Sequence, residues 1–257
     1  MPGAGLADDL ALAEEAARTA GEVLVEYFGR PASGVEQKSS ATDLVSDADR
    51  DAERLIAELL LLERPDDGML GEEGAERSGS SGRRWVFDPL DGTTNFLLGI
   101  PTWAVSVALE DGDGGLVGVV HDPMRAETFR ASRGGGADLA GVPIRVREGV
   151  DLAEAMIATG FSYRSEVRAR QAEVVRRVLP AVRDVRRAGA AALDLAWVAA
   201  GRVDGYYERG LQHWDWAAGK LLLQEAGGAT VPLEGEPLGM VAAHPGLLPE
   251  LAELVRD

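Results

Sequence analysis

The chain contains no cysteine. That excludes disulfides, thiolate metal ligands and a cysteine nucleophile together. Histidine is scarce too, with only His121, His213 and His244 present, so a zinc centre built on nitrogen ligands is poorly supported. Basic residues are outnumbered, 26 against 43 acidic ones, for a formal net charge of −17. This charge argues against a nucleic-acid partner. It still permits a phosphorylated small molecule, provided metal ions mask the acids locally. No stretch approaches the roughly 18 unbroken apolar residues of a membrane span, so no membrane partner is expected. The opening MPGAGLADDLALAEEAARTAG has no basic segment ahead of an apolar core. A secretion signal is therefore not expected, and a cytoplasmic location is.

What is present is an ordinary globular composition, 257 residues with 46% hydrophobic content, enough for one large domain or two small ones. Leu6, Leu10, Ala13, Ala17, Ala20 and Leu24 recur at helical spacing and predict a helix over about residues 6–28. The polar link from Lys38 to Asp49 enters a second helix, with Ser46 as cap and Asp49 three positions on. The Gly- and Ser-rich run from Ala75 to Arg84 predicts a mobile surface loop. Trp103 to Leu109 alternates, with small residues on its second face, and Leu116 to Val120 returns as its hairpin partner. Short strands are expected at Glu127–Ala131, Pro143–Val146, Met156–Thr159, Val182–Arg187, Val203–Tyr207, Ala229–Val231 and Met240–Ala243. Helices are expected at Glu166–Leu179, Ala190–Ala200, His213–Ala226 and Leu247–Val255. The fold class is thus mixed α/β, and the hairpin argues against a purely parallel sheet. The best internal boundary lies near Glu148, giving subdomains 1–148 and 149–257.

The chemistry centres on Trp85 to Phe96, WVFDPLDGTTNF. A short apolar strand runs into Asp88 and Asp91, which flank a rigid proline and precede an Asp-Gly turn. Two such acids repel unless cations or protons neutralise them, which points to a site for a hard cation. An ordinary strand-turn with surface acids is the plain alternative. Glu72, in Gly71-Glu72-Glu73-Gly74, and Asp215, in His213-Trp214-Asp215-Trp216, complete the selected acids. Carboxylate oxygens of this kind suit Mg²⁺. For Asp215 and Asp49 the competing role is a helix cap.

Taken together, GEEG at 71–74, WVFDPLDGTTNF at 85–96 and WDWAAG at 214–219 resemble the inositol monophosphatase family of magnesium-dependent, lithium-sensitive phosphatases. DLVSDAD at 43–49 and the AGAAALDLAWVAAGRVDGYYE stretch ending at Glu208 extend that resemblance over nearly the whole chain. The resemblance implies a layered αβαβα sandwich of the sugar-phosphatase type, and a homodimer. It implies about two to three Mg²⁺ ions, held by Glu72, Asp88, the Leu90 carbonyl, Asp91 and Asp215. Thr93 and Glu72 would position the attacking water, and Asp49 would act on Thr93 from behind. The backbone of Gly92, Thr93 and Thr94 would bind phosphate, and Asp91 and Asp215 would also border the substrate. Glu208 and the Ala190–Ala191 backbone would contact a polyol. Ala190 stands where many members carry a hydroxyl residue. Ala140 stands where they usually carry asparagine, which is expected to alter that turn. His121 is expected to be a strand-end residue, and His213 could be near the leaving group.

The implied substrate is a small phosphorylated polyol, inositol monophosphate first. Histidinol phosphate, fructose 1,6-bisphosphate, NADP and nucleotide 3′-phosphates are alternatives on the same scaffold. A different class of answer is a non-catalytic regulatory protein associated with RNA polymerase.

Overall fold

The computed structural model describes residues 4–37 and 44–256; the Lys38–Asp43 part of the expected link lies outside them. Among the described residues the chain opens with helix α1 (Ala4–Tyr27), a small antiparallel pair β1 (Glu36–Gln37) and β2 (Leu44–Val45), and helix α2 (Asp47–Glu63). Then come β3 (Gly68–Gly71), β4 (Glu76–Arg77), β5 (Arg84–Asp91), the short helix α3 (Thr93–Leu97), β6 (Ala104–Asp111), β7 (Gly114–Asp122), β8 (Glu127–Ser132), β9 (Gly136–Leu139) and β10 (Val142–Pro143). The second half holds β11 (Met156–Thr159), α4 (Ser165–Val178), β12 (Asp184–Arg186), α5 (Ala191–Ala199), β13 (Gly205–Arg209) and α6 (His213–Glu225). It closes with β14 (Ala229–Leu233), β15 (Gly239–Ala243) and α7 (Leu248–Leu254).

These elements form two mixed sheets, an eight-stranded one ordered β10-β9-β8-β7-β6-β5-β3-β4 and a five-stranded one ordered β12-β11-β13-β15-β14. Strand alternation decides what each face carries. On β5, Trp85 and Phe87 pack with α1 and α2 through Ala13, Ala17, Leu24 and Ile56, while Val86 faces the other way into the central layer. On β6, Val105, Val107 and Leu109 face α1, and Ala104 and Ala108 face α6. The small face of β6 has a reason: α6 lies directly on the sheet. A Cβ on Gly118 of β7 would stand 3.0 Å from the Ala218 carbonyl. Leu193, Leu222, Tyr206 and Ala242 join that central core to the five-stranded sheet. Ile157, Val241, Val174 and Leu251 seat α4 and α7 on its far face. The layers therefore run α1/α2, sheet, α5/α6, sheet, α4/α7, an αβαβα sandwich. The expected boundary at 148–149 falls in the irregular stretch between β10 and β11.

Several expectations are corrected. The run from Ala75 to Arg84 is tied down: it contains β4, and the Ser80 and Ser81 amides both donate to the Asp66 carbonyl. β10 stops at Pro143, so the strand expected over 143–146 is absent; Ile144 and Val146 turn inward toward other parts of the core. The Ala140–Gly141 turn between β9 and β10 keeps a two-residue form, with φ of 50° and 83°. Positive φ at both positions is what a type I′ hairpin requires, and asparagine-glycine is its preferred pair. Alanine therefore carries strain there without altering the turn.

Replacing Ala140 by asparagine relieves that strain. Ala140→Asn is expected to raise folding stability by about 1 kcal/mol, seen as a higher urea midpoint with an unchanged slope. An unchanged or lowered midpoint would show that the turn bears no such strain.

Candidate active site

The site is built where β5 ends. In a regular strand, residues three apart point to opposite faces. Here the pairing with β6 shifts, Asp88 opposite Ser106 but Asp91 opposite Ala104, so β5 holds one extra residue at Pro89–Leu90. That bulge brings both aspartates to one side, and a bulge is where a proline without an N–H is tolerated. Both line a cleft of about 380 Å³, together with Glu72, Leu90, Gly92, Thr93, Ala190, Ala191, Glu208 and Asp215. Thr94 does not line it; it stands one step along α3. Asp49 lies behind the wall.

Each side chain is held by local structure. Glu72 sits in the turn after β3, and Glu53 of α2 fixes that turn by accepting the Glu73 and Ala75 amides at 2.7 and 2.8 Å. Asp49 fills both roles considered for it. One oxygen takes the Ser46 amide and hydroxyl at 2.9 and 2.6 Å, as in a capping box. Its other oxygen accepts from the Thr93 hydroxyl at 3.0 Å. That hydroxyl is also 3.1 Å from the Leu90 carbonyl, so its one proton is shared between two acceptors. Asp88 accepts the Leu90 amide at 2.9 Å. Asp91 reaches across to the second half and accepts the Ala191 and Ala192 amides at 3.0 and 2.7 Å. Asp215, in the first turn of α6, accepts the Gln212 amide at 2.7 Å, so capping and facing the cleft coexist.

Gly92 is needed for its conformation and for space. Its φ is 98°, and a Cβ there would meet the carbonyls of Thr102 and Gly189 at 3.1 and 3.2 Å. Asn95 closes the same seam by donating to Thr102 and Ala188 at 2.7 and 2.8 Å. His213 faces away from the cleft and pairs with Glu110 at 2.8 Å. His121 is buried in β7 against Thr128 and Glu127. Neither is near the reacting groups.

The electrostatics are one-sided. Burial first, then the charges of Glu72, Asp91 and Asp215, hold the Asp88 carboxyl well above its usual range. Burial pushes Asp91 up to about 7 against the opposing pull of the Ala192 and Ala191 amides. Burial, then Glu72 and Asp91, also raise Asp215. The charged groups that act most strongly on these three are all other acids. Hard oxygen donors that repel one another in this way fit a divalent cation such as Mg²⁺. Among the described residues, no three acidic or histidine side chains are already gathered as a ligand set. Asp88, Asp91 and Asp215 lean on backbone amides instead, as mutually repelling carboxylates do.

Glu53 and Asn95 were not singled out from sequence. Glu53 had a signal, since it stands between Ala52 and Ile56 on the apolar side of α2. Asn95 had none, because its partners are backbone carbonyls of distant segments.

Fold and site together define a phosphoric monoester hydrolase of the layered, carboxylate-lined kind. The chain belongs to the inositol monophosphatase family, which it matches over residues 6–256. It is 48% identical over 219 residues to an inositol-1-monophosphatase of Rhizobium meliloti, covering 84% of this chain and 82% of that protein. The solved structure of extragenic suppressor protein suhB from Bartonella henselae superposes with a TM-score of 0.92 at 39% identity, over 97% of this chain and 99% of the other. A relative from Xylella fastidiosa, 45% identical over 222 residues (86% of this chain, 80% of that protein), is named Nus factor SuhB. An Escherichia coli relative of the same name is 39% identical over 255 residues, 96% of each chain.

These names overturn the expectation of no nucleic-acid partner, because they tie close relatives to transcription. The expectation rested on a net charge of −17. A net charge averages the whole surface and says nothing of attachment through another protein. Among the described residues, no helix is long and apolar enough to cross a membrane.

The carboxylate cluster makes a stability prediction for metal-free protein. With Asp91 at about 7 when folded and at its ordinary 3.8 when unfolded, the folded state binds more protons between those values. Stability is then present below the unfolded pKa and falls as pH rises through the folded one. Mg²⁺ is expected to raise the thermal midpoint more at about pH 8 than at about pH 5. Equal gains at both would detach the effect from these carboxylates.

Proposed function

We propose that this cleft hydrolyses a phosphate monoester, inositol monophosphate before other substrates, with Mg²⁺ as the cation. The observation that carries the reading is the convergence of Glu72, Asp88, Asp91 and Asp215, from three separate segments, with the last three raised by burial and by neighbouring acids. Glu72, Asp88, the Leu90 carbonyl, Asp91 and Asp215 would hold the metal, at about two to three ions. Bound there, Mg²⁺ supplies a lowered pKa for water and neutralisation of phosphoryl charge.

The side chains supply orientation. The Thr93 proton is committed to Asp49 and the Leu90 carbonyl, so the free lone pair of its oxygen accepts a hydrogen bond from a water in the cleft. Glu72 takes the other side of that water and acts as base. Asp49 keeps the Thr93 hydroxyl in that sense. The backbone at Gly92 and Thr93 receives the phosphate. Glu208 and the Ala190–Ala191 backbone, on the opposite wall, receive the hydroxyls of the leaving alcohol. A cytoplasmic location goes with such a diffusible substrate.

Phosphate release from inositol 1-phosphate, histidinol phosphate, fructose 1,6-bisphosphate, NADP and 3′-phosphoadenosine 5′-phosphate at matched Mg²⁺ tests the substrate. Inositol 1-phosphate is expected to give the highest kcat/KM, and a clear preference for another member of the panel displaces it. Asp91→Asn is expected to abolish Mg²⁺-dependent release. Asp49→Asn keeps the cap and is expected to lose about 10- to 100-fold, the scale of a group acting behind a metal site.

A second reading, a role in a transcription complex, is favoured by the relatives named Nus factor SuhB. It needs no intact metal site, so co-purification with RNA polymerase should survive Asp91→Asn if it holds.

A further inference from the structure

Among the described residues Glu208 is the one acid on the side of the cleft read as facing the polyol, and its carboxylate is held from two directions. Tyr206 and Glu208 stand two apart on β13 and so share a face. Tyr206 is fully buried, and its hydroxyl donates to Glu208 Oε2 at 2.8 Å. β11 runs parallel beside β13, with Ala158 opposite Tyr206 and Thr159 opposite Tyr207. The next residue, Gly160, therefore comes level with Glu208. The space where a Cβ on Gly160 would lie is taken by the Glu208 carboxylate, and the three atoms nearest that Cβ all belong to it. Gly160 has no left-handed backbone to explain a glycine there; the space itself is the explanation. Gln171 fixes the segment, its amide oxygen accepting from the Ser162 N–H at 3.0 Å and its NH₂ group donating to the Gly160 carbonyl at 3.5 Å.

We infer that Tyr206 and Gly160 are positioning residues that fix the Glu208 carboxylate and so set the preference for a polyhydroxylated leaving group. The inference rests on the phosphate-monoester reading above. Tyr206 occupies one carboxylate oxygen and leaves the other for substrate hydroxyls. Arg187, a cation on the same cleft wall, acts on the same carboxylate. Gly160 lets the carboxylate lie against the strand, where a side chain would push it into the cleft. The burial that raises Glu208 to about 7 is opposed first by the Tyr206 hydroxyl and then by Arg187. The same hydrogen bond thus favours the charged, acceptor-only form of the group.

Steady-state phosphate release from inositol 1-phosphate and from 4-nitrophenyl phosphate, a monoester with no hydroxyls to recognise, separates positioning from general damage. Tyr206→Phe removes the hydrogen bond, and Gly160→Ala displaces the carboxylate without touching Tyr206. Each is expected to raise KM for inositol 1-phosphate about tenfold, the scale of a lost hydrogen bond to a charged group. The kcat for that substrate and the KM for 4-nitrophenyl phosphate are expected to stay within about twofold. Equal losses on both substrates, or no change on either, overturn the inference while leaving the phosphatase reading in place. Wild-type protein that releases phosphate from neither substrate removes that reading, and this inference with it.

Discussion

Repulsion among buried like charges is the constraint around which this molecule is arranged. Neighbouring acids, Glu72 among them, raise the proton affinity of Asp88, Asp91 and Asp215 in a cleft that burial has already made hostile to charge. Such a cluster is unfavourable for folding, so the surrounding structure must over-determine it. The bulge in β5, the Glu53-anchored turn, the first turn of α6 and the amides opening α5 each hold one member. None of these supports is a counter-ion. Backbone amides stabilise a carboxylate without filling the place of a cation, so the site keeps its appetite for one.

The layered fold makes this convergence possible. α6 lies close enough to the first sheet to need glycine at position 118 and reaches the second sheet on its other side. Its N-terminal turn is thereby delivered to the end of β5, more than a hundred residues away in sequence. Asp91 then accepts amides from the start of α5, so one aspartate belongs both to the carboxylate cluster and to the seam between the halves of the chain.

Much of this was legible in the residues. The alternation of β6, the stripe of α1 and the Ser46–Asp49 cap follow from local rules. The motif segments pointed to the acids that line the cleft. What local rules missed depends on long-range contact. The β5 bulge is invisible in WVFDPLDG, because it is defined by register against β6. The short α3 is too brief for periodicity to mark. Ala140 kept a turn that its own preference disfavours, because the strands on either side set the geometry. Thr94 was expected to share the phosphate-binding backbone with Gly92 and Thr93, yet the helical turn after Gly92 carries it off the cleft wall. The charge argument against nucleic acid failed for a different reason: composition cannot report an indirect association.

The Asn95 amide, which ties the Thr102 carbonyl to that of Ala188 at 2.7 and 2.8 Å, carries a further consequence. It clamps the segment ahead of β6 to the segment leading into α5, owing nothing to metal or substrate. Parting the two halves of the chain at this point would cost both hydrogen bonds.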